Sequence, residues 1–422
     1  MDYRIFPPDK LVDVSVSLPY SKSFINRLLI ISELAGSNLI LNENKLCDDV
    51  KALKAGLSST DNNAKINIGA AGTAMRFLTA YYASRPGTDV IIDGSTRMRE
   101  RPIGVLIEAL QSIGADVEYL SHKGFPPLKI KGKKLIGGKI TINAGISSQY
   151  VSALLMIAPY TEQGIRLTLT SNAVSTPYIH MTITLMSHFG ITPEIEGHTI
   201  YVPAGQYRPI PIEYELDWSA ASYWAEIVAL SGGMVRLPKL TYRSIQGDKE
   251  TANLFSPLGV DCKAVPGYDG IVMEANPEIY TRINYNLEKN PDVVQTLAVT
   301  CALLSIPFRF TGLSTLRIKE TDRLEALRIE LKKLGCQIDV IGDDAIEWEG
   351  LRIPVSEPPI IETYKDHRMA MAFAPAAFIL PGIVIRDIDV VNKSYPEFWN
   401  QLKQAGFQIV EASCTGNTTI NS

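Results

Sequence analysis

The hydrophobic and polar positions of this chain repeat in a fixed order along most of its length. An amphipathic run ends in a glycine, and a short segment of alternating apolar and polar residues follows. The glycines lie 76, 69, 76 and 71 residues apart, and they are Gly114, Gly190, Gly259, Gly335 and Gly406. A glycine after an amphipathic run is typical of the left-handed position that ends a helix, and alternation is typical of a strand. The pattern therefore predicts a repeat of about seventy residues.

A second pattern precedes each of these runs. A short strand ends in small or polar residues, and a strongly apolar helix begins there. Segments 24–35 and 293–304 are apolar on nearly every side, which is typical of buried helices. The two patterns together predict a β-α-β-α-β-β unit. Six such units fill the chain if residues 52–57 are counted as a degenerate copy.

The last predicted unit lacks one strand, because only a polar tail follows residues 407–411. The N-terminus offers an unpaired strand near residues 11–18, and we expect it to complete that unit. Three units per domain then predict an α/β protein with a discontinuous domain of residues 1–19 and 216–422 and a central domain of residues 20–215. The two crossings of the chain, near Pro19 and Glu215, are the predicted hinge.

Composition narrows the class of protein. The chain has 422 residues, of which 46% are hydrophobic and 20% charged, which excludes wholesale disorder. Its formal charge of −4 argues against a dedicated nucleic-acid-binding protein. No segment reaches the roughly 20 continuous apolar residues of a spanning helix, and the N-terminus has no signal-type run. The five cysteines are scattered without a CxxC pair, so we expect free thiols, no structural zinc and a cytoplasmic location.

Lysine and arginine residues cluster where the predicted helices begin. Each one taken alone has an ordinary explanation, as a solvent-exposed charge beside a residue that caps the helix. Helix N-termini attract anions, because their free N–H groups and the helix dipole are positive there. If the repeated units are arranged alike, these cations converge on one cleft between the domains. They are Lys22, Arg27, Arg101, Lys319, Arg323, Arg368 and Lys393. Such a cleft predicts a ligand with two or more phosphate or carboxylate groups.

Two carboxylates accompany these cations in the sequence. Asp292 and Glu320 would lie inside a cationic site, which makes them candidates for proton transfer. The chain has no GxxxxGK[ST] loop, no GxGxxG after a strand and no HExxH motif. The sequence therefore points away from ATP, NAD and zinc, and we expect neither a cofactor nor a metal.

Six motifs, in order along nearly the whole chain, resemble those of the EPSP synthase (3-phosphoshikimate 1-carboxyvinyltransferase) family. They are LPYSKSFINR at 18–27, AGTAMR at 71–76, RMRERP at 97–102, SSQ at 147–149, KETDR at 319–323 and DHRMAM at 366–371. The KETDR and DHRMA motifs together are highly specific. The resemblance implies the enolpyruvyl transferase fold, an inside-out α/β barrel of two domains with three βαβαββ units each. That fold agrees with the repeat found independently of the resemblance.

The resemblance also implies a reaction of the shikimate pathway, which leads to chorismate and the aromatic amino acids. Phosphoenolpyruvate would donate its enolpyruvyl group to the 5-hydroxyl of shikimate 3-phosphate. The hydroxyl adds to C2 while C3 gains a proton, and loss of that proton and of phosphate follows. Both substrates carry a phosphate and a carboxylate, which match the predicted cations. The implied partners are these two small molecules, with no nucleic acid and no membrane, and we expect a monomer.

The resemblance assigns residues position by position. The implied contacts of shikimate 3-phosphate are Lys22, Ser23, Arg27, Ser147, Ser148, Gln149, Ser175, Tyr178, Asp292 and Lys319. The implied contacts of phosphoenolpyruvate are Lys22, Gly72, Arg101, Gln149, Arg323, Arg368 and Lys393. Arg323 and Arg368 would hold the donor carboxylate, and the lysines with Arg101 its phosphate. Among the catalytic residues, Asp292 is the implied base toward the 5-hydroxyl, Glu320 the proton carrier at C3, and Lys22 an assisting acid.

Two positions depart from the family pattern, and two other functions stay open. Ala70 stands where the family often has Asn, and Thr315 stands where Asn commonly precedes KETDR. Neither change removes a charge, so we expect altered affinity rather than lost activity. The nearest alternative is a UDP-N-acetylglucosamine enolpyruvyl transferase, whose reactive-cysteine loop has no counterpart here. The other is a non-catalytic module that binds anions or RNA, against which the acidic composition argues.

Overall fold

The computed structural model describes residues 1–59, 64–143, 145, 147–170 and 175–412, so Cys414 lies outside the described residues. In this part of the chain no helix is long and apolar enough to cross a membrane. The α-helices are α1 Lys22–Leu34, α2 Asp48–Leu57, α3 Gly72–Ala83, α4 Thr96–Arg99, α5 Gly104–Ser112, α6 Ser148–Ile157, α7 Thr176–His188, α8 Trp218–Ser231, α9 Thr251–Phe255, α10 Val294–Leu303, α11 Arg323–Lys333, α12 His367–Phe373 and α13 Phe398–Gln404. Short 3₁₀ helices cover Glu43–Lys45, Ala158–Tyr160, Gly247–Glu250, Ser314–Ile318, Ala374–Phe378 and Ile388–Lys393.

The strands are short and alternate with the helices along the chain. They are β1 Tyr3–Phe6, β2 Asp13–Ser15, β3 Ala64–Asn67, β4 Asp89–Asp93, β5 Asp116–Tyr119, β6 Leu128–Lys131, β7 Gly138–Ile142, β8 Ile165–Leu169, β9 Glu194–Glu196, β10 Thr199–Val202, β11 Met234–Pro238, β12 Leu258–Ala264, β13 Gly270–Ile279, β14 Ile283–Asn286, β15 Phe308–Thr311, β16 Asp339–Ile341, β17 Ala345–Trp348, β18 Ile360–Ile361, β19 Ile383–Ile385 and β20 Gln408–Glu411.

The strands form five four-stranded sheets within the described residues, and all five share one internal order. In each unit the first two strands lie parallel, with a helix between them in the chain. The fourth strand lies between the second and the third and is antiparallel to both, as β6 is to β4 and β5. The orders are β3-β4-β6-β5, β7-β8-β10-β9, β2-β11-β13-β12, β14-β15-β17-β16 and β18-β19-β1-β20. This connectivity is the βαβαββ unit that the sequence pattern predicts.

The N-terminal segment supplies strands to two different units. β1 lies between β19 and β20, with Arg4 beside both Val384 and Val410. β2, which falls in the predicted segment 11–18, pairs in parallel with β11 instead. The expectation that residues 11–18 complete the last unit is therefore wrong, and residues 3–6 do so. Pro7 and Pro8 break the extended segment into two strands, because proline cannot donate to a ladder.

The first unit contributes α1 and α2, but no sheet of its own is found within the described residues. The backbone just before α1 is hydrogen-bonded to the second crossing of the chain, near residue 215. Tyr20 forms an isolated antiparallel bridge with Leu216. The backbone N–H of Ser21 donates to the carbonyl of Glu215 at 2.8 Å, and that of Asp217 donates to the carbonyl of Pro19 at 3.0 Å. The two crossings therefore lie side by side.

Two separate hydrophobic cores hold the chain together. One contains buried residues between Phe24 and Tyr207, largely from α1, α3, α5 and α6. The other joins Ile5–Leu18 to residues between Leu216 and Phe407, and it is built around α8, α10 and α12. These helices are buried on nearly all sides because they carry apolar residues all round. We propose that the two cores are two domains that divide near residues 19 and 215, and we call them the central and the discontinuous half.

The glycines of the repeat all have positive φ, between 80° and 101°. Four of them follow a helix directly, as the pattern predicts. Gly259 does not, because it lies inside β12 beside a register shift between Leu258 and Val260. A Cβ at Gly335 would lie 2.0 Å from the carbonyl oxygen of Ile353, so that position needs glycine for space as well as for φ.

Candidate active site

A cleft with about 950 Å³ of empty space lies between the two cores, and helices from both halves begin at it. Of the sixteen site residues named from the sequence, fifteen line it: Lys22, Ser23, Arg27, Gly72, Arg101, Ser147, Ser148, Gln149, Ser175, Tyr178, Asp292, Lys319, Glu320, Arg323 and Arg368. The sixteenth, Lys393, lies directly behind this lining. Its Nζ is 3.0 Å from Glu320 Oε1 and donates to the carbonyl of Ala70 at 2.8 Å.

Capping residues fix where three of the lining helices begin. Ser21 caps α1 by accepting from the N–H of Phe24, Ser147 caps α6, and Asp366 caps α12 through the N–H of Arg368. Because the cap of α1 is Ser21, Ser23 is the second helical residue and is not needed as a cap. The N-terminal ends of α1, α6 and α12 therefore meet at one cleft, where their positive ends favour an anion.

The KETDR segment is not helical throughout. α11 begins only at Arg323, because Asp322 caps it by accepting from the N–H groups of Leu324 and Glu325 at 3.2 Å each. The i, i+4 spacing of Lys319 and Arg323 predicts that they share one face of a helix, and this prediction is wrong, because Lys319 lies before the helix begins. Both residues line the cleft nevertheless, since the turn before the cap directs the segment into it.

Asp292 is held by two arginines of its own half. Its carboxylate lies 3.2 Å from Arg323 Nη1 and 2.9 Å from Arg368 Nη2, and Arg368 Nη1 also donates to its backbone carbonyl at 2.7 Å. Burial alone would raise the pKa of this carboxyl. The charges of Arg368, Lys319 and Arg323 outweigh burial and hold the pKa of Asp292 well below its ordinary value.

Arg323 is 1% exposed and contacts two further carboxylates. Its Nε lies 2.7 Å from Asp366 Oδ2, and its Nη2 lies 3.1 Å from Glu320 Oε2. Burial raises the pKa of Glu320, but the charges of Lys393 and Arg323 outweigh it and hold that pKa well below its ordinary value. Both candidate proton carriers are thus ionised at neutral pH in this structure.

Other cations in the cleft have no carboxylate partner. Within the described residues, no carboxylate oxygen lies within 4.0 Å of the charged groups of Arg27, Arg101 or Lys319. Arg27 is 2% exposed and donates to Thr182 Oγ1 at 2.7 Å and to Ser152 Oγ at 3.1 Å, and burial lowers its pKa to about 10. Burial likewise lowers the pKa of Lys319. Buried charges without a counter-ion are costly, so this arrangement suits an anionic ligand.

Side chains of the two halves meet across the cleft. The hydroxyl of Tyr178, in the central half, donates to Asp292 Oδ2 at 3.2 Å. Arg97, also in the central half, donates to the backbone carbonyls of Glu320 at 3.2 Å and Lys319 at 3.3 Å. The central half therefore supplies groups that position candidate residues of the discontinuous half.

Sequence reasoning missed three polar residues that line the cleft. They are Asp49, Thr73 and Arg76. The Thr73 hydroxyl accepts from Gln149 Nε2 at 3.1 Å, and Arg76 Nη2 donates to the carbonyl of Pro102 at 2.8 Å. Arg76 lies within the AGTAMR motif and could have been found there. An acidic residue in the first turn of a helix is too common to single out Asp49.

The two departures from the family pattern both lie at the cleft. Ala70 offers its backbone carbonyl to Lys393, a contact that does not depend on the side chain. Thr315 is 8% exposed and lines the cleft. Across the residues that the structure describes, no group of three or more His, Cys, Asp or Glu side chains could hold a metal ion.

Comparison with known proteins gives one consistent result. The sequence profile described as EPSP synthase (3-phosphoshikimate 1-carboxyvinyltransferase) matches residues 19–402. A 3-phosphoshikimate 1-carboxyvinyltransferase of Bacteroides fragilis strain YCH46 is 46% identical over 411 residues, which cover 97% of this chain and 99% of the relative. One from Aliivibrio salmonicida is 34% identical over 437 residues, which cover 96% of this chain and 99% of the relative.

Solved structures agree on the fold. The EPSP synthase from Acinetobacter baumannii, solved at 2.37 Å, superposes with a TM-score of 0.73 at 21% identity, covering 97% of this chain and all of that one. This likeness confirms the predicted fold class. The profile match and the relatives confirm the resemblance inferred from the six motifs. The chain therefore belongs to the EPSP synthase (3-phosphoshikimate 1-carboxyvinyltransferase) family.

Proposed function

We propose that this chain transfers the enolpyruvyl group of phosphoenolpyruvate to the 5-hydroxyl of shikimate 3-phosphate and releases phosphate. The observation that carries the proposal is the cleft itself. It gathers the seven predicted cations around two ionised carboxylates, and within the described residues three of these cations make no direct ion pair with a carboxylate. Each substrate brings a phosphate and a carboxylate, so together they supply the missing negative charge.

The donor carboxylate would bind to Arg323 and Arg368. Both guanidinium groups already hold a carboxylate, that of Asp292, with Arg323 at its Oδ1 and Arg368 at its Oδ2. Planar guanidinium groups bind carboxylates through paired N–H donors, which fixes the donor's orientation as well as its charge. The phosphate of the same molecule would lie toward Lys22, Arg101 and Lys393.

The acceptor would lie on the central half. Ser147, Ser148 and Gln149 at the start of α6, together with Ser175 before α7, line one wall and suit its phosphate. Arg27, which has no carboxylate partner in the described chain, suits its carboxylate. Gln149 contacts Thr73, beside Gly72, so we place it between the two substrates.

Binding of the donor would activate the base. Asp292 is a weak base while Arg323 and Arg368 hold it, because their charges depress its pKa. A donor carboxylate that shares these arginines adds a negative charge beside Asp292 and raises that pKa. Asp292 can then accept the proton of the 5-hydroxyl as the hydroxyl oxygen bonds to C2 of the donor.

Proton transfer at C3 would use Glu320. The negative charge of the bound donor would raise the pKa of Glu320, which then takes up a proton from solvent. Glu320 gives this proton to C3 during addition and takes one back from the resulting methyl group during elimination. The bond between C2 and the phosphate oxygen then breaks. Lys22, on the predicted phosphate side, is protonated, because the charges of Asp49, Glu320 and Asp292 together outweigh burial and raise its pKa above the ordinary value. It passes its proton to the departing phosphate and regains one from Asp292, which holds the proton that the hydroxyl lost.

Phosphate release tests this function. The purified chain is incubated with phosphoenolpyruvate and either shikimate 3-phosphate or UDP-N-acetylglucosamine. We expect release that depends on shikimate 3-phosphate and none with the sugar nucleotide. The opposite preference would assign the chain to the other enolpyruvyl transfer, and release with neither acceptor would remove the proposal.

We further propose that the enzyme acts as a cytoplasmic monomer on small molecules, without nucleic acid. Supporting this, one chain supplies both walls of the cleft. Cys47, Cys262, Cys301 and Cys336 are free thiols, and burial raises the pKa of each. Light scattering behind size-exclusion chromatography should give the mass of one chain, and a mass of two chains would contradict this part of the proposal.

A further inference from the structure

Asp49 occupies an unusual place among the residues that line the cleft. It is the second residue of α2, it is 5% exposed, and its two carboxylate oxygens approach two different lysines. Oδ2 lies 3.3 Å from Lys22 Nζ, and Oδ1 lies 3.9 Å from Lys393 Nζ. Nothing in the sequence pattern assigns a role to this residue.

The two lysines come from different halves of the molecule. Lys22 is the first residue of α1 in the central half, whereas Lys393 ends the 3₁₀ helix Ile388–Lys393 in the discontinuous half. Within the described residues, Asp49 is the ion-pair partner of Lys22, while Lys393 also contacts Glu320. Asp49 therefore joins two ammonium groups that meet only when the halves are together.

Electrostatics explains why an anion is needed at this point. Two ammonium groups and Arg101 face the same end of the cleft, and they would repel one another before any ligand arrives. Burial lowers the pKa of the Lys22 ammonium, and the Asp49 charge is the strongest influence that raises it again. Loss of the carboxylate would leave Lys22 free to turn away or to lose its proton.

We propose that Asp49 is a positioning residue that holds Lys22 and Lys393 together where the donor phosphate binds. The proposal rests on the proposed function, because it takes the donor to be a phosphate monoester. In this arrangement the phosphate site is complete only when the discontinuous half brings Lys393 to Asp49, so closure of the cleft and phosphate binding favour each other.

The adjacent residue offers a matched control. Asp48 lies in the same first turn of α2, and its side chain is exposed. Both acids can interact with the helix dipole, but only Asp49 contacts the lysines. Asp48→Asn therefore removes the same charge from the same turn without touching the cleft.

The test compares steady-state phosphate release by wild type, Asp49→Asn, Asp49→Glu and Asp48→Asn, with each substrate varied in turn. For Asp49→Asn we expect KM for phosphoenolpyruvate to rise at least tenfold, because both lysines serve its phosphate. KM for shikimate 3-phosphate, which shares only Lys22, should rise at most about threefold. Asp49→Glu keeps the charge but moves it by one methylene group, so it should recover most of the loss and leave a selective rise of two- to fivefold in KM for phosphoenolpyruvate. Asp48→Asn should match wild type within twofold.

Three outcomes would overturn the proposal: equal effects on both KM values, equal effects of the Asp48 and Asp49 variants, or no rescue by Glu. If Asp49→Asn does not fold, Asp49→Glu decides alone. A selective rise of two- to fivefold in KM for phosphoenolpyruvate would support the proposal, and unchanged or equally raised KM values would refute it. Wild type that releases no phosphate would refute the proposed function instead, so the two failures are distinguishable.

Discussion

The guanidinium group of Arg101 lies directly against the backbone of Gly72, at the first turn of α3. A Cβ atom on Gly72 would be 2.6 Å from Arg101 Nη1 and 2.9 Å from its Cζ. Real Cβ atoms do not approach other atoms this closely, so any larger residue must push the guanidinium away. The absence of a side chain at position 72 thus sets the position of a cation that we assign to the donor phosphate.

Gly72→Ala should therefore weaken the binding of phosphoenolpyruvate and leave the binding of shikimate 3-phosphate nearly unchanged. Displacing one charge-assisted contact costs about 1–2 kcal/mol, which corresponds to a rise of roughly five- to thirtyfold in KM for phosphoenolpyruvate. KM for shikimate 3-phosphate should change less than twofold. Steady-state kinetics with each substrate varied in turn measure both values.

Gly205→Ala is the control for this prediction. There the new methyl group meets only the flexible end of Ile191, at 2.9 Å, outside the cleft. We expect its KM values to equal those of wild type. A Gly72→Ala enzyme with unchanged KM for phosphoenolpyruvate would show that Arg101 does not serve the donor.

Asp292→Asn should separate catalysis from binding. Without the base, kcat should fall at least about a hundredfold. KM for phosphoenolpyruvate should not rise, because the carboxylate that occupies Arg323 and Arg368 is gone. Asp261→Asn, which disturbs a surface pair with Lys263, is the control and should keep kcat. A large rise in KM for the donor with unchanged kcat would mean that Asp292 positions the arginines instead.

Arg323→Ala should destabilise the fold as well as the site. It leaves Asp292, Glu320 and Asp366 without a shared counter-ion, at a cost of about 3–5 kcal/mol near neutral pH. In wild type the depressed pKa values of Asp292 and Glu320 contribute stability that is full above their unfolded pKa of about 4 and is lost as pH falls below it. The variant lacks the part of this contribution that Arg323 supplies, so its deficit against wild type should be constant above about pH 4 and shrink below it.

Urea unfolding at several pH values measures this effect. Arg328→Ala serves as the control, because Arg328 lies on the same helix and pairs with Glu325 at the surface. Because solvent screens this surface pair, Arg328→Ala should destabilise the fold far less than Arg323→Ala at every pH. If Arg323→Ala cost no more than Arg328→Ala, the three contacts would contribute nothing to stability.

Asp248 should make stability depend on pH. It is 4% exposed, and burial together with the Asp292 charge raises its pKa to about 6. An acid whose folded pKa is raised contributes stability below its unfolded pKa of about 4, and that stability is lost as pH rises through 6. Asp248→Asn should therefore gain stability relative to wild type between pH 4 and pH 7. The exposed Asp9→Asn should show no such trend, and a parallel trend in both variants would refute the assignment.

The sequence predicts the repeat well, because helix ends and buried helices leave local signals. Gly335 and Gly406 have the positive φ that the pattern requires, and α10 is buried throughout, as its largely apolar sequence predicts. Which strand joins which sheet is decided by tertiary contacts instead. For that reason β1 and β2 could not be assigned correctly from their composition.

The residues of the candidate site likewise fall into those that local sequence signals predict and those that only tertiary contacts reveal. Arg323, Arg368 and Lys393 stand out because cations recur where helices begin in an acidic chain. Asp49 does not stand out, because its role depends on two lysines that lie 27 and 344 residues away in the chain. The i, i+4 spacing of Lys319 and Arg323 likewise predicts one continuous helix, but the helix begins only after Asp322. The Asp322 carboxylate caps it there, and spacing alone does not reveal a cap.

Proton NMR of the complete reaction in D₂O tests the central claim most directly. The chain is mixed with phosphoenolpyruvate and shikimate 3-phosphate, and the vinyl protons of donor and product are followed. The mechanism predicts a new enol ether, stoichiometric phosphate, and partial deuteration of its methylene group, because C3 gains a solvent-derived proton and loses one. An unchanged spectrum, or a product whose methylene group carries no deuterium, would contradict transfer by addition and elimination.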